Sequence, residues 1–171
     1  MPKIIENLPA RLIEEAGRQI REVGYSALTI RSVAKACGVG VGTVYNYYAS
    51  KDELVAAFML EGWKDCLEQI HAVAETSETV EPVLRCIHGQ LCAYAYAHQT
   101  VTRDAGAAVG FAASMGKYHT LLRSQLAQPL QRWIKDPFTG EFIAEALLTW
   151  TMEGKDFSEV YRVLQNLCEE K

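Results

Sequence analysis

The sequence lacks the features that mark membrane, secreted and disulfide-bonded proteins. None of its apolar runs is long enough to cross a bilayer, and its first residues do not have the pattern of a signal peptide. Its five cysteines form no Cys-x-x-Cys pair, which argues against a zinc ribbon and against a disulfide framework. We therefore expect a cytoplasmic protein with no membrane segment and with reduced thiols.

Motifs for catalysis and for metal or cofactor binding are also lacking. The four histidines, His71, His88, His98 and His119, make neither a His-x-x-x-His nor a His-Glu-x-x-His pair. No glycine-rich phosphate loop and no Gly-x-Ser-x-Gly nucleophile motif occurs. The sequence thus predicts no enzyme activity, no metal site and no cofactor.

What the sequence does contain is helical periodicity along its whole length. Hydrophobic residues make up 49% of the 171 positions, an ordinary fraction for a globular chain. Apolar residues recur three and four positions apart, and no stretch alternates as a half-buried strand would. We predict an all-α fold of about nine helices, with a three-helix N-terminal head on a larger C-terminal helical bundle.

The most informative stretch is Thr29 to Leu54, TIRSVAKACGVGVGTVYNYYASKDEL. Thr29 is placed to cap a short helix, and Gly38 is placed to end it in the left-handed conformation. A second short helix is predicted from Val41 to Tyr48. Two short helices joined by a glycine-containing turn are the arrangement of a DNA-binding helix-turn-helix, although a plain α-hairpin within a bundle has similar spacing.

The residues that follow resemble the N-terminal motif of the TetR family of transcriptional regulators. The resemblance is carried by Gly42–Tyr48 (GTVYNYY) and Ser50–Leu54 (SKDEL), and it extends over roughly residues 8 to 58. Two positions depart from the family pattern. Gly40 stands where Ser is usual, which removes a cap, and Tyr48 stands where Phe is usual, which adds a hydroxyl that needs a partner if buried.

The resemblance implies a homodimer that binds a double-stranded DNA operator. The positions that match family contacts to the DNA backbone are Thr29, Thr43, Tyr45, Tyr47 and Lys51. A helix that enters the major groove by its N-terminal half would place Val41, Gly42, Asn46 and Tyr47 near base edges. Asn46, at a variable position, is the candidate for reading the sequence because Asn can bind adenine through two hydrogen bonds. We expect Tyr48 to lie in the core of the head and Tyr45 to lie outside it.

The remainder of the chain is expected to bind a small, mostly hydrophobic effector and to dimerise. The resemblance implies a ligand pocket among these helices and pairing of the last two helices with those of a second copy. The candidate lining shares large apolar or aromatic side chains near a segment of small residues, and consists of Met59, Trp63, Cys66, Leu91, Tyr94, Phe111, Met115 and Tyr118. Any one of these positions could equally be ordinary core.

Charge is divided unevenly along the chain. Residues 1–51 contain seven Lys or Arg against four Glu, whereas the remaining 120 contain ten basic against seventeen acidic residues. A basic head on an acidic body would orient the chain on DNA. We predict a DNA-binding domain over residues 1–50 and a ligand-binding and dimerisation domain over residues 51–171.

The main hypothesis from the sequence is a homodimeric repressor released from a palindromic operator by its effector. One alternative is the same DNA-binding build switched by cysteine oxidation or acting without an effector. A further alternative is a small-molecule-binding or enzymatic helical protein whose head no longer binds DNA.

Overall fold

The computed structural model describes residues 7–111 and 115–168, and the secondary structure of these residues is entirely helical. The ten α-helices are α1 (Leu8–Ala27), α2 (Ile30–Cys37), α3 (Val41–Tyr45), α4 (Lys51–Thr76), α5 (Glu81–Ala97), α6 (Gln99–Thr102), α7 (Ala105–Phe111), α8 (Met115–Ala127), α9 (Pro137–Met152) and α10 (Phe157–Cys168). A 3₁₀ helix, Gln128–Arg132, follows α8. The predicted all-α fold is confirmed. Within the described residues, no helix combines the length and the apolar character that crossing a membrane requires.

The chain divides into two compact units. The first takes in the chain up to Gly62 and, from His98, α6 and α7, and the second takes in Trp63–Ala97 and the chain from α8 onward. The first unit is therefore larger than the predicted head, because a segment far along the chain packs with it. The assignment of DNA binding to residues 1–50 and of ligand binding and dimerisation to 51–171 stays a prediction.

The first helix supplies the buried face of the head. Leu12, Ala16 and Ile20 are each 0% exposed, as their spacing of four predicts. Val23, three residues further on, has the spacing to continue this stripe but is 59% exposed. The chain leaves the helical path at Gly24, whose φ of 81° is left-handed, so the buried stripe ends one turn earlier than the pattern predicts.

The helix-turn-helix is fixed at both ends of α2 by the predicted residues. Thr29 accepts from the Ser32 N–H at 3.0 Å, and Ser32 accepts from the Thr29 N–H at 3.2 Å, which closes a capping box. Gly38 has a φ of 70° and ends the helix, while the Val39 N–H donates to the Ala34 carbonyl at 3.0 Å. Both sequence predictions, the Thr29 cap and the Gly38 stop, are confirmed.

Two boundaries differ from the periodicity. The third helix ends at Tyr45 rather than Tyr48. Apolar residues from Phe142 onward, after an Asp-Pro pair typical of a turn, predict a start of α9 near Glu141. The helix begins at Pro137 instead, because Asp136 accepts from the Thr139 N–H at 2.8 Å and Pro137 opens the first turn. A third feature agrees with the sequence, because Pro129 predicts a break after α8 and the 3₁₀ helix is found there.

The Ser-x-x-Glu spacing of Ser50 and Glu53 predicts a capping box at the start of the fourth helix, and the structure has that box in a modified form. The Ser50 hydroxyl accepts from the Glu53 N–H at 3.1 Å, as expected for a Ser-x-x-Glu box. The Glu53 carboxylate, however, accepts from the N–H of Ala49 at 2.6 Å, one residue earlier than the standard box. The cap therefore also fixes the residue that links α3 to α4.

The core of the second unit is built from α4, α5, α9 and α10. Its fully buried side chains come from all four helices and from the end of α8. Arg132, at the end of the 3₁₀ helix, donates to the Ala74 carbonyl at 3.3 Å, and Trp133 donates to the Glu78 carbonyl in the loop after α4 at 3.1 Å. The Arg132 bond gives a partner to a carbonyl in the last turn of α4, which has none within the helix.

Two glycines in helices have opposite surroundings. A Cβ added at Gly17, which is buried on α1, would lie 2.5 Å from Cε2 of Phe58. A Cβ added at Gly89 on α5 would meet no atom within 4 Å. Close helix packing therefore does not account for Gly89, although it does account for Gly17.

We expect Gly17→Ala to lower the free energy of unfolding by about 1–3 kcal/mol, because the Phe58 ring must move out of a packed position. Gly89→Ala is the matched control, and we expect it to raise stability by roughly 0.5–1 kcal/mol through helix propensity. Denaturant unfolding followed by circular dichroism measures both. A neutral Gly17→Ala would show that the contact between α1 and Phe58 is loose.

Candidate nucleic-acid interface

The third helix and the turn after it expose two tyrosines and bury a third. Tyr45 and Tyr47 are 52% and 47% exposed, whereas Tyr48 is 9% exposed. The Tyr48 ring packs in the core of the first unit, and its hydroxyl donates to the Pro9 carbonyl at 3.4 Å. The predicted division between a core Tyr48 and an outer Tyr45 is confirmed, and the additional hydroxyl of Tyr48 has a partner.

The other candidate DNA contacts lie on or beside the same short helix. Gly42 and Asn46 are exposed, Thr43 is half-buried, and Asn46 is the first residue past the end of α3. Gly40 precedes the helix and provides no side-chain cap, as its departure from the family pattern predicts. The backbone N–H groups at the start of α3 are consequently not covered by a side chain of residue 40.

Three of the predicted contacts, Thr29, Tyr45 and Lys51, line one open groove of the first unit. Arg31, which the sequence analysis did not name, lines it too and is exposed. The groove is lined by Ser26, Leu28, Thr29, Ile30, Arg31, Val41, Tyr45, Ala49, Ser50 and Lys51. It brings together a hydroxyl, a phenol, a guanidinium and an ammonium, all of which donate hydrogen bonds that a phosphate accepts.

Lys51 is held in this groove by Tyr25. Its Nζ donates to the Tyr25 carbonyl at 3.1 Å and lies 4.0 Å from the centroid of the Tyr25 ring. An ammonium has three protons, and the carbonyl takes one of them. The contact therefore orders a flexible side chain while leaving donors for a phosphate, and it lowers the entropy lost on binding.

Tyr25 in turn joins the end of α1 to α4 and, through its neighbour, to α7. Its hydroxyl donates to Asp52, and burial together with this bond raises the pKa of Tyr25 to about 12, so the phenol stays protonated at neutral pH. Ser26 donates to Asp104 at 2.7 Å, a bond that lowers the pKa of that carboxyl, and Asp104 also accepts from the Gly106 N–H at 2.8 Å. These contacts connect three segments of one unit beside the groove: the end of α1, the start of α4 and the start of α7.

Four of the candidate effector residues lie together in the second unit. Trp63, Cys66 and Leu91 are buried, and Tyr94 packs against the same core. The Trp63 and Tyr94 rings meet edge to face with centroids 5.6 Å apart, and Trp63 Nε1 donates to Gln125 at 2.8 Å. Burial raises the pKa of Tyr94. This cluster is apolar with two polar tips, the character expected of a site for a hydrophobic ligand.

The other four candidates are placed differently. Met59 packs against the core of the first unit, and Tyr118 is 45% exposed on α8. The side chains of Phe111 and Met115 lie outside the residues that the structure describes. The effector role of all eight residues stays a prediction.

Two residues that matter at the groove, Arg31 in its lining and Tyr25 behind Lys51, were not identified from the sequence. Arg31 could have been found, because it lies on α2 two residues after the Thr29 cap and shares the exposed side of that helix. Tyr25 carried no such signal, since its contacts with Lys51 and Asp52 join residues 26 and 27 positions apart. Only the tertiary structure places its ring beneath the ammonium.

Comparison with known families identifies the part of the chain that carries this groove. Residues 12–58 match the family model described as bacterial regulatory proteins, tetR family. The N-terminal segment is a tetR-family domain. Its matched region runs from the buried face of α1 through the helix-turn-helix and into α4, so it contains every predicted DNA contact.

Curated relatives match about half of the chain. The HTH-type transcriptional regulator Mb1846 of Mycobacterium bovis is 27% identical over 90 residues, a match that covers 49% of this chain and 38% of the relative. The chain therefore matches less than half the length of that relative, and the likeness does not extend to the whole protein.

Solved structures of tetR-family proteins share the fold of nearly the whole chain. The TetR family repressor AlkX from Dietzia sp. covers 95% of this chain, with 96% of its own chain matched, a TM-score of 0.69 and 15% identity. The TetR family repressor FadR from Thermus thermophilus, in complex with lauroyl-CoA, covers 94%, with 92% of its own chain matched, a TM-score of 0.64 and 19% identity. At these identities the likeness establishes the fold alone.

The groove and Asn46 should respond differently to substitution. We expect Lys51→Met to weaken binding to all duplexes by a similar factor and to reduce the slope of log K against log salt by about 1, because one phosphate contact is lost. We expect Asn46→Ala to change the sequence that is selected from a random duplex library, since it removes a base contact. Fluorescence anisotropy over a salt series and library selection measure the two effects.

Lys64→Met, an exposed lysine in the second unit, is the control for the charge change. An unaltered salt slope for Lys51→Met would remove Lys51 from the phosphate contacts. An unchanged selected sequence for Asn46→Ala would remove that residue from base readout.

Proposed function

We propose that this protein is a transcription regulator that binds a palindromic operator as a homodimer and leaves it when a small hydrophobic effector binds. The observation that carries the DNA-binding part is the groove of Thr29, Arg31, Tyr45 and Lys51 within a tetR-family domain. All four side chains can donate hydrogen bonds to phosphate oxygens. Thr29, Arg31 and Tyr45 belong to the helix-turn-helix, and Lys51 begins the helix after it. If α3 enters the major groove of one half-site, its side chains meet base edges and the protein groove beside it meets the phosphates. We expect specific affinity on the order of 10⁻⁸ to 10⁻¹¹ M at physiological salt.

Exposed apolar residues on the last two helices support the homodimer. Helix α9 buries one face in the core of the second unit through residues such as Ile143 and Leu147, yet Phe142 and Trp150 on its other side are 51% and 47% exposed. On α10, Val163 is 63% exposed. A helix that is apolar on all sides is normally covered on all sides. A second copy meeting this face around a two-fold axis would cover it and would supply the symmetry of a palindrome.

Substitution on this face tests the dimer. We expect the wild-type chain to have twice its monomer mass in light scattering, and Phe142→Asp to dissociate it at micromolar concentration, because a buried aromatic at an interface contributes about 2 kcal/mol or more. The dissociated protein should also lose specific DNA affinity, since a single head binds only one half-site.

Tyr96→Asp is the matched control, because Tyr96 is 77% exposed and lies on α5. We expect this variant to remain dimeric. A wild-type monomer would contradict the homodimer, and a Phe142→Asp variant that stays dimeric while Tyr96→Asp dissociates would place the interface elsewhere.

The cluster around Trp63 and Tyr94 supports an apolar effector. Its side chains are aromatic and aliphatic, and Gln125 supplies one polar group. The structurally similar FadR contains lauroyl-CoA, and AlkX is implicated in biodegradation of n-alkanes. We therefore propose an acyl or alkyl chain as the effector class. To act as an inducer, the ligand must bind the form with low DNA affinity more tightly than the DNA-binding form.

A titration of the DNA complex tests this part. The protein is first bound to a fragment of its own upstream region in a gel shift, and lauroyl-CoA is then added, with free coenzyme A as the control. We expect release by lauroyl-CoA in the micromolar range and none by coenzyme A. Release by both would point to the nucleotide part of the ligand. Failure of the protein to bind any genomic fragment, even at low salt, would contradict the regulator itself.

A further inference from the structure

The five thiols of the chain are in different environments. Cys37 and Cys66 are buried and Cys86 is half-buried, and burial raises the pKa of each of these three thiols. Cys168 is also half-buried, whereas Cys92 is exposed on α5. A thiol reacts as the thiolate, and the reagent must also be able to reach it. Cys92, the exposed thiol, has the best access to reagents in solution.

Cys92 also has a base beside it. Its Sγ lies 3.8 Å from Nδ1 of His88, one helical turn earlier, and Nε2 of His88 lies 2.8 Å from the backbone carbonyl oxygen of Lys155. A carbonyl only accepts hydrogen bonds, so Nε2 carries the imidazole proton. In the neutral ring Nδ1 then presents its lone pair, and the Cys92 S–H donates to it. The arrangement has the order of nucleophile, base and orienting group.

The carbonyl that orients His88 is itself held in place. Gly154, with a φ of 85°, ends α9, and its N–H donates to the Thr151 carbonyl at 2.9 Å. The Lys155 N–H donates to the Trp150 carbonyl at 2.9 Å, which completes a Schellman motif. The Lys155 carbonyl is therefore at a fixed point of the turn between α9 and α10.

The His88 ring is also packed on its side. Phe157 meets it edge to face with centroids 5.7 Å apart, and the Arg85 guanidinium lies 4.3 Å from the Phe157 ring centroid. The Lys155 ammonium is 3.7 Å from Glu159. The imidazole is thus limited in rotation by two helices and a turn, as a base must be to act on one neighbouring atom.

We propose that Cys92 is a modification site for soft electrophiles of the α,β-unsaturated carbonyl class, with His88 as its general base. The Cys92 thiol proton passes to Nδ1 of His88 while sulfur forms a bond to the β-carbon of the electrophile. The electrons of the C=C bond move to the carbonyl oxygen to give an enolate. The α-carbon then takes the proton back from His88, so that S–H adds across C=C and the imidazole returns to neutral.

This reaction needs no oxidant and no further reactant. It uses only α5 and the turn between α9 and α10, so it does not depend on DNA binding by the first unit. It also selects one thiol of the five, which the cysteine spacing in the sequence could not do.

N-ethylmaleimide, an electrophile of this class, provides the test. The full chain is reduced, labelled for short times at pH 7 and digested, and the rate at each cysteine is obtained by peptide mass spectrometry. We expect Cys92 to react at least about tenfold faster than Cys86 and Cys168. His88→Gln should slow labelling of Cys92 by about tenfold, which is less than the roughly 10²–10⁴-fold that a general base typically contributes in an enzyme. The rates at the other four cysteines should not change.

His71→Gln, a histidine on α4 of the same unit, is the matched control and should leave all five rates unchanged. A Cys92 rate that is the same in wild type and His88→Gln would show that exposure alone sets reactivity, and would overturn the proposal. Wild-type protein alone gives a second test, independent of any effect of substitution on folding. A pH–rate profile at Cys92 that parallels that of a small thiol in water would also overturn it.

Discussion

The constraint on which the rest of the structure depends is that α2 and α3 are too short to be stable alone. They contain eight and five residues, well below the length at which an isolated helix persists in water. Their geometry is therefore set by side chains that they bury against other helices. Val44 is 0% exposed and Tyr48 is 9% exposed, and both belong to one core with Leu12 and Ile20 of α1. Burying one side of α3 and the turn after it is what leaves Tyr45, Asn46 and Tyr47 on the other side, where a duplex could reach them.

The same head uses polar contacts to order the groove beside this core. Lys51 is the first residue of α4, and it reaches back to the carbonyl and ring of Tyr25 at the end of α1. Asp52 accepts from the Tyr25 hydroxyl, and Asp104 accepts from Ser26. These bonds tie the helix that follows the helix-turn-helix to segments that lie far apart in the sequence. Asp104 directly precedes α7, and Ser26 lines the groove. The hydrogen bond between them therefore connects α7 to the groove within a single unit.

The second unit has the opposite arrangement, with an apolar surface that its own core does not cover. Ile143 and Leu147 of α9 are fully buried, while Phe142 and Trp150 of the same helix remain about half exposed. Helical periodicity cannot distinguish these two groups, since both sets recur every three or four residues. The turn after α9 is polar and tightly bonded, and it is there that His88 and Cys92 of α5 come together with the Lys155 carbonyl. The candidate dimer surface on α9 and α10 and the candidate reactive thiol on α5 therefore belong to the same unit.

The sequence by itself determined the all-α fold, the position of the helix-turn-helix and the caps at Thr29, Gly38 and Ser50. These features depend on residues within one or two turns of each other, so the local pattern carries them. It also separated Tyr48 from Tyr45, because their positions relative to Val44 differ. Tertiary structure alone decided that Tyr25 holds Lys51, that His98 and helices α6 and α7 join the first unit, and that Cys92 has an oriented base. The Tyr25–Lys51 and His88–Lys155 contacts join residues 26 and 67 positions apart. Which distant residues meet is set by how whole helices pack, and a single sequence does not record the packing of one helix against another.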